Sequence, residues 1–195
     1  MTDRPQGRAR YLEIATERFA EQGFHGLSLA ALAKAAGVTK QALLHHFGTK
    51  ERLYAEVLEA LATRLTAALE AAEGPTPAAR LTAYFDAMAQ EALARPQDAR
   101  LVVRALLESD ADAKVWPLKR YLAALATLAR QTPPWRAATE AEALAGIYGL
   151  IGAVQYAAIS AAALEGMYGA EARDAIAGRA AKQARAAVRV FAGED

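Results

Sequence analysis

The sequence predicts an all-α fold, on three grounds. Alanine, the strongest helix former, fills 52 of the 195 positions. Apolar residues recur at helical spacing along most of the chain. The breaks between those segments fall at glycine and proline, notably Pro75, Pro77, Pro96, Pro117, Pro133 and Pro134. Hydrophobic residues make up 54% and charged residues 23%, a balance that supports a packed core and excludes a disordered chain. With no cysteine, disulfides, thiolate metal sites and cysteine nucleophiles are excluded as well.

The first helix is expected over about 8–22, with Tyr11, Leu12, Ile14, Ala15 and Phe19 as its stripe and Gly23 as a left-handed cap. Ser28 stands before Leu29, Leu32 and Ala33 and reads as the N-cap of a short helix, about 29–35. Thr39 opens a third helix, about 40–46, and Thr49 a fourth that runs to about 72. Gly74-Pro75-Thr76-Pro77 breaks the pattern. Further helices are expected at about 78–94, 97–111, 118–131, 139–165 and 171–192.

Residues 143–164 carry no charge. Their length suits a membrane span, yet the run is mostly alanine and glycine, includes Gln155 and Ser160, and lacks basic flanks. A helix buried all round, in a bundle or a subunit interface, fits better, so no membrane association is expected. Gly146, Gly149 and Gly152 recur every three residues, which points either to a close neighbour or ligand or to simple compositional drift.

The informative stretch is Ser28 to Phe47. Two short helices meet at Gly37-Val38-Thr39, where Gly37 can adopt the positive φ of a tight turn. Ala33 is small enough for the crossing, and Leu32, Val38 and Leu43 face inward. This is helix-turn-helix spacing. The second helix turns Lys40, Gln41, His45 and His46 outward, where they can reach base edges and phosphates in a major groove.

With Ala15, Phe19, Gly23-Phe24, Ser28-Leu29, Leu32-Ala33, Ala36 to Lys40, Leu43, His45-His46-Phe47 and Lys50 to Leu53, the chain resembles the TetR (tetracycline-repressor-like) family of transcriptional regulators across residues 8–57. The resemblance implies an N-terminal three-helix helix-turn-helix DNA-binding head, residues 1–53, on a larger helical ligand-binding and dimerisation body, residues 54–195. It implies operator reading by the third helix, a homodimer through 139–165 and 171–192, and a small effector within the body. In the family, residues matching Ser28, Thr39, Lys40, Gln41, His45, His46 and Lys50 commonly meet DNA. Leu44 departs from the usual tyrosine, so it either makes an apolar contact, such as to a thymine methyl, or the contact is lost.

Charge agrees in sign. Residues 1–53 hold eight basic and five acidic side chains and all three histidines, whereas 54–195 hold 15 basic and 17 acidic ones. Ser28 and Thr39 serve either as caps alone or as caps that also touch phosphate. Arg4, Arg8 and Arg10 form either a basic arm or a frayed terminus. His45 and His46 are adjacent, about 100° apart on a helix, and no partner set completes a metal site.

No enzyme signature accompanies the motif. Gly48-Thr49-Lys50 lacks the upstream glycine of a phosphate loop, and G-x-S-x-G, H-E-x-x-H and C-x-x-C do not occur. No catalytic residue, metal or cofactor is expected. The start, MTDRPQGRAR, has no signal-peptide pattern, which predicts a cytoplasmic protein. The other readings are a helical binding protein whose head contacts protein, and a helical-bundle enzyme. For an apolar effector the candidates are Tyr84, Met88, Trp116, Tyr121, Tyr148, Gly152, Gln155 and Tyr156, with plain core packing as the alternative. Tyr148, Gly152 and Gln155 share one helical face.

Overall fold

The computed structural model describes residues 4–107 and 117–194, with side chains from Gly7 onward. The described residues form α1 (Arg4–Gly26), α2 (Leu29–Ala36), α3 (Lys40–Phe47), α4 (Lys50–Ala71), α5 (Pro77–Ala94), α6 (Pro96–Leu107), α7 (Leu118–Arg130), α8 (Glu140–Tyr168) and α9 (Ala170–Ala192). A single 3₁₀ turn, Pro133–Trp135, lies between α7 and α8. The expected extension of α6 to residue 111, and Trp116, lie outside the described residues.

Local chemistry sets the helix starts. The hydroxyls of Ser28, Thr39 and Thr49 accept from the N–H groups of Ala31, Ala42 and Arg52 at 3.1, 3.1 and 3.2 Å. Each satisfies one of the donors a helix N-terminus leaves open. Thr139 and Glu142 close a full capping box on α8, since Glu142 also accepts from the Thr139 N–H at 2.8 Å. Gly37 is left-handed at φ 69° and ψ 31°, and the Val38 N–H reaches the Ala33 carbonyl at 3.0 Å. Gly23 differs from its expected role. Its φ of 72° is positive but its ψ is 174°, so the chain bends there and makes one more helical turn to Gly26.

Two apolar clusters organise the molecule. One gathers Phe19, Leu32, Leu43, Phe47, Leu53 and Val57 of α1–α4, and takes in Leu101 and Ala105 of α6. The other packs Leu81, Tyr84, Phe85, Leu125, Ile147 and Val188 between α5, α7, α8 and α9. Helix α4 serves both, through Leu53 at one end and Leu69 at the other. Arg104 adds a polar tie between α6 and α1. Its Nε and Nη2 donate to the carbonyls of Ala20 and Glu21 near the bend of α1, at 2.9 and 2.7 Å. The partner suggested by spacing, Glu108, lies outside the described residues.

Helix α8 is not buried all round within one chain. Ala143, Ile147, Leu150, Val154 and Ala158 form one inward stripe, and only 22% of its most apolar 18-residue window is buried. Tyr148, Tyr156, Met167 and Tyr168 are exposed, because nothing among the described residues covers those faces. By length and composition α8 could cross a membrane. Gly146 answers to aromatic rings. A Cβ there would lie 2.5 Å from Phe191 and 2.9 Å from Trp135. Those rings stack at 4.4 Å, and the Trp135 indole donates to the Phe191 carbonyl at 2.8 Å. Gly149 and Gly152 meet open space.

Candidate nucleic-acid interface and body cavity

The turn at Gly37 sets α3 across α2, with Leu32, Ala33, Leu43 and Phe47 sealed between them and α1. That packing decides which side chains α3 can offer. Lys40, Gln41 and His45 are exposed, as are the caps Ser28 and Thr39. Leu44 is half-buried. His46 is half-buried too, its ring tilted against Tyr11 at 5.3 Å. The capping hydroxyls accept from the backbone and keep their own protons to donate, so capping and a phosphate contact are compatible.

Lys50 opens α4 with its Nζ 4.4 Å above the Phe24 ring, close enough for a cation–π contact. Arg8 sits over Phe47 at 5.1 Å and pairs with Glu56, so it is held within the head. The backbone is helical from Arg4 onward, and Arg10 is exposed on that helix. The Arg4 side chain lies outside the described residues. Lysine, glutamine and histidine side chains on one exposed helix face, flanked by two hydroxyls, can contact base edges and phosphates together.

The body contains a cavity of about 600 Å³ bordered by α4, α6, α7 and α8. Its wall is mainly apolar, with Val102, Leu106, Leu122 and Ile151 beside Tyr121, Tyr148, Gly152 and Gln155. A second cavity of about 210 Å³ is bordered by Tyr84, Met88 and Ala92, with Arg64, Arg95 and Asp98 among its polar residues. Arg64 grips both Asp98 oxygens at 2.9 Å. Leu65, Val102 and Gln155 border both spaces. Between them, the Tyr84 hydroxyl donates to that of Tyr121 at 2.7 Å. Burial pushes both phenols well above the usual tyrosine range, so both stay protonated.

Residues 12–57 match the model of a family described as bacterial regulatory proteins, tetR family. The HTH-type transcriptional regulator RutR of Escherichia coli is 35% identical over 97 residues, covering 49% of this chain and 46% of that protein. The HTH-type transcriptional repressor AcnR of Corynebacterium efficiens is 38% identical over 64 residues, covering 32% of this chain and 34% of the other. A TetR-like transcriptional regulator from Rhodococcus sp. RHA1 superposes along the whole of both chains with a TM-score of 0.69 at 21% identity. Residues 12–57 thus match the TetR-family DNA-binding segment, and the chain as a whole shares the fold of a TetR-like regulator. It spans about half the length of the curated relatives it matches.

The likeness of this chain to RutR covers about half its length, whereas the fold likeness covers all of it. Of the body residues singled out by sequence, Tyr121, Tyr148, Gly152 and Gln155 border the larger cavity, and Tyr84, Met88 and Gln155 the smaller. Tyr156 is elsewhere. It borders an outer groove between α8 and α9, with Ala153, Ala157, Ser160, Met167 and Ile176. A residue one step from Gln155 points about 100° away from it on a helix, which carries Tyr156 to the other side of α8. Sequence reading missed the tyrosine pair and the Arg104 tie, whose partners stand 37 and 84 positions apart. No local spacing could have signalled either.

Proposed function

We propose that this protein is a TetR-family regulator, a cytoplasmic homodimeric repressor that binds a palindromic operator through two copies of α3. Residues 1–53 are the DNA-binding domain and 54–195 the effector-binding and dimerisation domain. The observation that carries this reading is the outward face of α3, where Lys40, Gln41 and His45 stand exposed beside the Ser28 and Thr39 hydroxyls. Lys40 and Lys50 serve phosphates, Gln41 and His45 base edges, and Leu44 and His46 the margin of the contact.

The uncovered apolar faces of α8 and α9 support self-association. Two such surfaces related by a two-fold axis cover each other, giving a four-helix, self-complementary interface. The larger cavity supports an effector that is small and mostly apolar, met by Tyr121, Tyr148, Gly152 and Gln155. An effector that prefers a dimer geometry unsuited to the half-site spacing releases the DNA, and only to the extent of that preference.

Binding of the full chain to DNA upstream of its own gene, measured at several salt concentrations, tests the reading. Two lysines per head imply about four neutralised phosphates per dimer, so a fourfold rise in salt weakens binding roughly 10²-fold. Salt-insensitive binding, or none, would refute DNA contact by this face and favour a head that meets protein.

A further inference from the structure

We propose, resting on the reading of the body as an effector site, that the Tyr84–Tyr121 hydroxyl pair is its polar anchor. On that basis the effector is an uncharged, mostly apolar molecule carrying a hydrogen-bond-accepting oxygen, such as a ketone or ester carbonyl. The hydroxyls are 2.7 Å apart, and their residues are 1% and 3% exposed. Two hydroxyls carry two protons, and one bond between them uses only one. Whichever way that bond runs, one buried O–H remains available. Among the described residues, no other group hydrogen-bonds to either oxygen. A buried donor without an acceptor is costly, so an acceptor brought by a ligand recovers that cost on binding.

The position of the pair fits the role. Tyr121 borders the larger cavity and Tyr84 the smaller, so the bond joins the walls of the two spaces. The larger cavity is the size of a small-molecule site. Among the described residues, its ionisable wall residues besides tyrosine are Lys119 and Glu140, both exposed and opposite in charge. In the smaller cavity, Arg64 is already held by Asp98, and Arg95 lies near Asp98 and Glu91. Among the described residues the cations on these walls are exposed or face a carboxylate, Arg95 with its Nε 3.4 Å from Asp98 but not hydrogen-bonded, so a charged ligand would lose its hydration with little compensation. Because burial keeps both phenols protonated, the pair donates to a neutral acceptor throughout the ordinary pH range.

Three fluorescent probes test this on the full chain. They are 6-propionyl-2-(dimethylamino)naphthalene, its analogue with propyl in place of propionyl, and the anionic 6-(dimethylamino)-2-naphthoate. The wild type is expected to bind the ketone about tenfold more tightly than either of the others. A single Tyr→Phe change strands the other hydroxyl and can destabilise the fold. The double variant Tyr84→Phe/Tyr121→Phe removes both hydroxyls with little change of shape, and a thermal melt checks that it folds. It should bind ketone and propyl analogue alike, with the affinity for the propyl analogue unchanged. A ketone preference that survives in the double variant, or one absent from the wild type, overturns the anchor while leaving the cavity as an effector site. Tighter binding of the naphthoate overturns the uncharged class. Failure of all three probes to bind overturns the effector reading and the anchor with it.

Discussion

Replacing Lys50 with alanine separates charge from sequence reading. Lys50 starts α4 beside the face formed by α3, with its Nζ 4.4 Å over Phe24. A dimer carries two copies, so the change removes two phosphate neutralisations. At about 0.9 per phosphate, the plot of log K against log salt becomes shallower by about 1.8. Between 1 M and 0.15 M salt that amounts to roughly 30-fold weaker binding, or ~2 kcal/mol. If reaching phosphate means giving up the Phe24 contact in both copies, at ~0.5–1 kcal/mol each, ~1–2 kcal/mol of that gain is offset, and the loss falls to about fivefold or less.

Fluorescence anisotropy on the upstream DNA and on a scrambled duplex, at four or five salt concentrations, measures both slope and intercept. Lys50→Ala should weaken both DNAs alike. Gln41→Ala should keep the slope and reduce discrimination by ~1–3 kcal/mol at the base it contacts. An unchanged slope in Lys50→Ala, or equal effects of the two variants on the two duplexes, would refute this division of labour.

The remaining predictions concern the body and its tie to the head. Ala157 borders the outer groove of α8 and α9, so Ala157→Glu should yield monomers or aggregate in sedimentation at micromolar concentration, where the wild type runs as a dimer. Arg104→Ala removes two charged donors from the carbonyls of Ala20 and Glu21, at a cost of ~1–3 kcal/mol, read as a Tm lowered by about 2–4 °C per kcal/mol. Gly146→Ala drives a methyl into the Trp135–Phe191 stack and should cost ~1–3 kcal/mol in denaturant unfolding. Burial raises the Tyr84 and Tyr121 pKa values in the folded state, so their contribution is whole below the unfolded value of about 10 and is lost as pH rises beyond it. Alkaline unfolding followed by circular dichroism should therefore move to higher pH in the Tyr84→Phe/Tyr121→Phe double variant.

What the sequence determined by itself is the part governed by near neighbours. Ser28, Thr39 and Thr49 cap helices because a hydroxyl before a helix reaches an N–H three residues on. Gly37 marks the turn because only glycine adopts a left-handed conformation without strain. Helical periodicity placed Leu32 and Leu43 inside and Lys40 and Gln41 outside. These signals span a few residues, so the head could be read before any contact between distant segments was known.

Only the tertiary structure decided what depends on which segments meet. The uncharged run in α8 looked buried on every side, in a bundle or a subunit interface, and the described residues of one chain bury a single stripe of it. Glycine spacing could not tell Gly146, which faces two rings, from Gly149, which faces open space. Tyr84 and Tyr121 are ordinary core candidates until α5 and α7 bring their hydroxyls within 2.7 Å. Arg104 carries no local sign of the Ala20 and Glu21 carbonyls, which only the packing of α6 on α1 brings to it. A cavity is the space left where side chains from four helices fail to meet. Its walls are therefore a property of packing, which no stretch of sequence carries by itself.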